Sequence, residues 1–539
     1  MVKKILDNEV KLMVQNTWFR LALLFFVVLS YGYFAVNLSY SKDCLCFGHF
    51  LGVKILFFTA YMMRWGMSVV GAITGGFGSF SNFVSAMIGV PLMVSSSLLF
   101  CGAMNCVMCY RSRLASMAFV VLSVTSAWYA EIVTYPNMLP VLGCGMTAAV
   151  LAAISMYELY IDDGKGSLWR VAASLSIAVG MYEVCFIYAF MLFAILLLLI
   201  WIRDENRTWP TFSFIGKIFI AVVIAVALKF LLSYGLMMVG GLFFPEVIRP
   251  MFDGCGTENV YAAEGIVSGL RGLMVGFAVE IGLRAFSYFP SFFVLTSVVI
   301  WLMLVTVVSI KRRSGYSFCI GLSILVLAFF FPLAQGVVLG QLRKLVPMAP
   351  LLLAVECYLI LNIAKKHNLY VSLLVIVFLT VFASNLSLSL QDAVYRYALD
   401  QNFALQLIHD VEQRYSTRLN KKVVVVGSAA HDAYRYGYAD GHAWRGVTIG
   451  SPSWMEKKLG RRDENGGFGA QGTLLDSSSG RRDELYHLLT RLGRQVYVVP
   501  SEEEFDFAEE YVKKHGVPSY PQDGSIFATD KLIIVNLGI

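Results

Sequence analysis

The chain has 539 residues, 58% of them hydrophobic and 14% aromatic, with a mean hydropathy of +0.67. Only 15% are charged, and the net charge of +7 is gathered in short clusters. This composition excludes a soluble globular chain of such length and gives no support to nucleic-acid binding.

In chain order, "MVKKILDNEVKLMVQNTWFR" is a polar, charged lead. The apolar stretch after it is long and has no small-residue cleavage site, so it reads as a retained first helix rather than a cleaved signal. Apolar runs then recur and predict membrane helices near 19–39, 82–109, 114–132, 136–158, 168–183, 185–202, 213–236, 290–310, 316–334, 346–364 and 369–388. The run over 168–202 is barely long enough for two short helices, but the basic loops after it require two.

Basic clusters set the orientation. Lys3, Lys4, Lys11 and Arg20 put the N-terminus in the cytoplasm. Arg111 with Arg113, Arg203 with Arg207, Lys311 with Arg312 and Arg313, and Lys365 with Lys366 mark later cytoplasmic turns. About eleven crossings satisfy all of them and leave the C-terminus outside. Residues 51–75 are apolar enough to span, but a crossing there would move Arg111 and Arg113 outside. They read as part of an interfacial stretch, 40–80, on the outer face, with Lys54, Arg64 and Trp65 at head-group level. A second outer segment, 237–289, carries mixed charges.

The composition changes near residue 389, which divides a transmembrane module, 1–388, from a soluble outer α/β domain, 389–539. In that domain "KKVVVVGSAAHDAYRYG" reads as strand, Gly turn and helix, "RRDELYHLLTRLG" as helix and "RQVYVVPS" as strand. "SEEEFDFAEEYVKKHG" reads as a helix with an acidic start, a Lys-rich end and a Gly cap, and "KLIIVNLGI" as a closing strand. The ten cysteines lie mostly inside apolar runs and read as small buried hydrophobes. His431 and His442 lack a third ligand, so no metal is expected, and "VVVVGSAAHD" has neither nucleotide-loop spacing.

Several residues stand out against this background. Asp43, just after the first helix on the outer face, suits a general base for a hydroxyl nucleophile, or is an ordinary loop aspartate. Glu131 and Glu183 fall at outer helix ends, and carboxylates there tend to mark functional cavities. Trp128, Tyr129 and Tyr135 beside Glu131 suit sugar faces and equally an interfacial aromatic belt. Lys229 and Glu356 lie deeper, as interior structural groups or as site residues. Arg343 and Lys344 occupy an outer loop against the charge rule. Such exceptions are tolerated, or the pair forms an anion site joined by Arg64, with a planar fork and a compact charge facing phosphate.

Taken together, outer carboxylates on a many-spanning chain, a long interfacial first loop, a late basic pair and a soluble tail resemble the GT-C class of glycosyltransferases. More narrowly, "HGVPSYPQDGSIFATDKLIIVNLG", "DAVYRYALDQNFALQLIHDVEQR", "LRKLVP" and "GMYEVCF" resemble the phage-type serotype-converting O-antigen glucosyltransferases, the Gtr glucosyltransferase II family. The likeness is loose and runs over nearly the whole chain. It implies an inner-membrane enzyme that moves glucose from undecaprenyl-phosphate-sugar to O-antigen repeat units of lipopolysaccharide on the periplasmic face, without cofactor. It also implies dependence on a donor synthase and a flippase. The catalytic carboxylate of the first outer loop maps onto Asp43, with Glu131 in reserve. Arg343, Lys344 and Arg64 become the donor-phosphate site, and Glu183, Trp128 and Tyr135 the sugar or acceptor contacts. The competing readings are a lipid or polysaccharide transporter and an O-antigen polymerase or ligase.

Overall fold

The computed structural model describes residues 2–37, 63–75, 81–109, 112–126, 129–133, 138–162, 166–204, 210–243, 289–312, 315–335, 347–363, 369–415, 421–427, 486, 489, 490, 492 and 497–538. They fall into two units, one within residues 2–390 and one within 391–538.

The elements described in the first unit are all helices. After a helical run over Val2–Gln15 come α1 (Thr17–Val36), α2 (Trp65–Gly75), α3 (Asn82–Met108), α4 (Arg113–Val124) and α5 (Tyr129–Val133). They are followed by α6 (Met138–Ile161), α7 (Leu168–Met181), α8 (Glu183–Arg203), α9 (Phe212–Phe243), α10 (Phe289–Arg312), α11 (Gly315–Gln335), α12 (Met348–Ile363) and α13 (Leu369–Tyr415). Among the described residues six helices are long and apolar enough to cross a membrane: α1, α3, α6, α8, α9 and the stretch Leu369–Leu388 of α13. The five shorter apolar helices lie in α4, α7, α10, α11 and α12. The first unit is a helical membrane architecture on these grounds.

One local difference from the sequence reading has a plain cause. The helix expected over 114–132 stops at Val124, where Ser123 and Thr125 turn their hydroxyls back onto the carbonyls of Val120 and Val121. It resumes as α5. The run over 168–202 forms two helices, as expected, separated by one residue, Tyr182, in extended conformation (φ −157°, ψ 130°), which places Glu183 in the first turn of α8.

Close approaches between helices use small residues, as membrane interiors favour. A Cβ on Gly89 would fall 2.3 Å from the Leu139 carbonyl carbon, and one on Gly143 would fall 2.7 Å from Leu92 Cβ. One on Gly145 would fall 2.6 Å from Cys185 Sγ. These contacts gather the first turns of α3, α6 and α8 at one end of the unit.

The other end is fixed by polar contacts. Arg203 Nη1 donates to the Val107 carbonyl at 2.9 Å, Trp201 Nε1 to Tyr160 Oη at 3.2 Å and Asn105 Nδ2 to Ser116 Oγ at 3.3 Å. The Trp201 ring lies 5.6 Å from that of Tyr316, and Tyr160 lies 5.8 Å from Phe214. The N-terminal run docks nearby, since a Cβ on Gly102 would meet Ile5 Cγ2 at 2.7 Å. Lys3, Lys4, Lys11, Arg113, Arg203 and Lys311 belong to segments that meet at this basic end.

Among the described residues the second unit is built around a three-stranded sheet. β1 (Lys422–Val426) pairs in parallel with β3 (Leu532–Asn536), which pairs antiparallel with β2 (Ile526–Ala528). The order β1-β3-β2 puts β3 at the centre. β1 is an unbroken apolar run because both faces of the sheet are covered. Val423, Val425, Ile533 and Val535 face Ala404, Leu407, Ile408 and Val411 of α13. Val424, Val426, Leu532 and Ile534 face Phe505, Ala508 and Val512 of α14 (Glu502–His515). The helical partners recur every three or four residues, as one apolar stripe on each helix requires.

α14 has the ends its sequence announced. Ser501 and Glu504 form a reciprocal capping box, and Gly516 closes the helix at φ 59°. Two expectations for this unit change. Residues 497–500 are not a strand: the Thr490 hydroxyl accepts from the Tyr497 N–H (2.9 Å) and donates to its carbonyl (3.1 Å), in place of a ladder. The helix expected over 369–388 continues to Tyr415 as α13, a single helix of 47 residues.

Candidate functional site

The chemistry-bearing residues that meet are Arg64, Glu183 and Lys229. Each reaches the cluster for a local reason. Arg64 immediately precedes α2, whose Gly66 packs against Gly180, where a Cβ would fall 3.0 Å from the Gly180 carbonyl carbon. Trp65 covers the missing side chain of Gly180: a Cβ there would fall 2.2 Å from Trp65 Nε1. α2 is thereby fixed against the last turn of α7, beside the Tyr182 break. Lys229 comes from the middle of α9, where Ala221 and Ala225 allow a close approach.

Glu183 Oε2 accepts from Arg64 Nε at 3.0 Å and Glu183 Oε1 from Lys229 Nζ at 3.2 Å. The side chains are 21% (Arg64), 19% (Glu183) and 13% (Lys229) exposed. The Arg64 guanidinium carbon also lies 4.9 Å above the Tyr182 ring. Two cations and one carboxylate leave a formal surplus of one positive charge. Only Nε of the Arg64 fork is engaged by Glu183, and no hydrogen bond from its terminal nitrogens occurs among the described residues. A guanidinium held this way by its inner nitrogen and its flat face can present its outer edge to an anion. The cluster lies at the end of the unit opposite the basic one, because Glu183 opens the helix that Arg203 closes.

The expected site residues divide accordingly. Arg64 and Glu183 come together. Each Glu183 oxygen accepts from one cation, so the carboxylate positions Arg64. Glu131 lies in α5 by its backbone. Asp43, Trp128, Tyr135, Arg343 and Lys344 lie outside the described residues, as do the interfacial stretch before residue 63 and the outer segment from 244 to 288.

Lys229 is the member that the sequence left open between an interior structural group and a site residue. Its only signal was a charge within an apolar run, which demands a partner. Nothing in the sequence shows that the partner is 46 residues away.

A second polar position lies deeper. Glu356 in α12 is 1% exposed. Its Oε2 accepts from Ser297 Oγ of α10 at 2.7 Å, and its Oε1 is buried without a partner among the described residues. Among the described residues no group of three His, Cys, Asp or Glu is placed to hold a metal ion.

Compared with known proteins, the chain matches no family model, no curated protein and no solved structure.

Proposed function

We propose that the chain is an integral-membrane glycosyltransferase of GT-C type. It moves a sugar, glucose in the family it resembles, from undecaprenyl-phosphate-sugar to O-antigen repeat units on the periplasmic face of a bacterial inner membrane. The observation that carries this reading is the Arg64–Glu183–Lys229 cluster, cation-rich and at the end of the helical unit away from the basic loops. Lipid-linked phosphates sit at such a depth, and basic loops mark the cytoplasmic side.

In this reading all eleven apolar helices cross the membrane, the N-terminus is cytoplasmic and the second unit is a periplasmic α/β domain that meets the polysaccharide. Arg64, oriented by Glu183, holds the donor phosphate together with Arg343 and Lys344 of the loop after α11. Asp43, or Glu131 in its place, removes the acceptor hydroxyl proton as the oxygen attacks the anomeric carbon. The bond from that carbon to the phosphate oxygen breaks, the phosphate leaves with the electron pair, and the cations stabilise its growing charge. One displacement inverts the anomeric centre. Trp128 and Tyr135 offer flat faces to the sugar. The reaction consumes a lipid-linked sugar, so the cell must also contain an enzyme that makes the donor and a protein that turns it across the membrane.

The test is the sugar composition of surface polysaccharide from cells that make a polyprenyl-phosphate sugar. Cells with the wild-type chain should gain a branch sugar. Arg64→Ala and Asp43→Asn at equal membrane level should lose it. A branch unaffected by Arg64→Ala removes the cluster from the donor site. Polysaccharide unchanged by the wild-type chain in the presence of donor and acceptor favours the transporter reading, for which the buried Glu356 is the specific support.

A further inference from the structure

Glu356 is not used by the transfer reaction, and its surroundings are unlike those of Glu183. It is the only acid in α12, about half-way along the helix. Among the described residues, the helices packed against α12 bring it no counter-charge. α4 carries only Arg113, at its first residue; α10 carries Lys311 and Arg312, at its last two; α11 carries Tyr316 and Cys319. α3, which reaches α12 where Tyr358 Oη donates to Asn105 Oδ1 at 2.8 Å, carries Cys101 and Cys106 and no charge. On α12 itself the neighbours are Cys357 and Tyr358.

A carboxylate enclosed without a cation is too costly to keep, and the usual resolution is to bind a proton. The polar contacts fit the acid form. Ser297 satisfies Oε2 at 2.7 Å, while Oε1 has no donor among the described residues, as suits an oxygen that carries or can receive a proton.

We propose that Glu356 and Ser297 form an intramembrane proton-binding site, in which Glu356 rests as the neutral acid and Ser297 holds its second oxygen. The ligand is the proton itself. The acid form needs no cation, and its proton is exchangeable because Oε1 is not locked into a hydrogen bond. The site is independent of the transfer reaction and stands whether or not the chain moves a sugar.

The test is infrared difference spectroscopy on the full-length protein in lipid at neutral pH. Subtracting Glu356→Gln from the wild type should show the carbonyl stretch of a neutral carboxylic acid. Glu356→Asp, which keeps an acid, should retain a shifted band. Loss of a carboxylate band instead would overturn the proposal. Transfer to heavy water should move the acid band, because an exchangeable proton is replaced by deuterium. A band that stays in place after prolonged incubation in heavy water would mark a locked structural acid and would also overturn it. Ser297→Ala should shift the band by removing one hydrogen bond, and an unchanged band would remove Ser297 from the site.

Discussion

Glu183, in the first turn of α8, lies 3.0 Å from Arg64 Nε and 3.2 Å from Lys229 Nζ, whereas Glu356, in the middle of α12, has one serine hydroxyl and no cation among the described residues. The first carboxylate is compensated by charge and keeps an exposed edge, with 19% of its side chain accessible. The second is compensated by giving up its charge and is 1% exposed. The pair shows that an acid among apolar helices has two routes to stability, and that its partners decide which it takes. One route builds an electrostatic site and the other a proton site.

The comparison breaks most directly at the carboxylates themselves. Glu183→Gln leaves Arg64 and Lys229 beside each other without their anion, and such losses cost about 3–5 kcal/mol when buried. The thermal midpoint of the purified protein should fall by several degrees and transfer should drop more than tenfold. Glu356→Gln swaps one neutral polar group for another of the same shape and should cost less than about 1 kcal/mol. Equal losses for the two variants would contradict the contrast. Adding Lys229→Met to Glu183→Gln should recover part of the lost stability, since it removes one of the uncompensated cations.

Next comes the wall that holds Arg64. Gly180→Ala puts a methyl 2.2 Å from Trp65 Nε1, so Trp65 and the start of α2 must move. Overpacking of this kind costs about 1–3 kcal/mol. The expected signature is a raised KM for donor lipid, read in a titration of the polyprenyl-phosphate sugar, rather than loss of the protein from membranes.

How much of this was legible in the sequence varies by level. Each apolar run predicted as a helix contains one, because length and hydropathy act locally. The continuation of α13 to Tyr415 was also legible, in Ala404, Leu407, Ile408 and Val411, whose spacing is helical. The rise in charge after residue 389 hid it. β2 is three residues long and too short to carry a pattern. The site was half legible. Arg64 and Glu183 were each visible as charges at apolar boundaries, but they are 119 residues apart, and only packing of α2 on α7 joins them.

The smallest effect sharpens the contrast from the second unit, where an acid sits in water. The Lys422 ammonium, followed by the Ser501 backbone N–H, holds the Glu504 carboxyl below its ordinary 4.5. A lowered folded value means that the stabilisation is complete above the unfolded value and is lost as pH falls through the folded one. Glu504→Ala should therefore lower stability near neutral pH by about 1 kcal/mol or less, read as a slightly lower melting midpoint. The difference should vanish in acid and shrink in high salt. A difference that grows on acidification would contradict the assignment.

The most direct test of the central claim uses purified chain in lipid, synthetic polyprenyl-phosphate glucose labelled in the sugar, and O-antigen acceptor. The account expects label to pass to the polysaccharide with one polyprenyl phosphate released per sugar, and expects Arg64→Ala to abolish both. Release of polyprenyl phosphate and sugar transfer that Arg64→Ala leaves intact would contradict the site, and a wild-type chain that moves no sugar between the two would contradict the function.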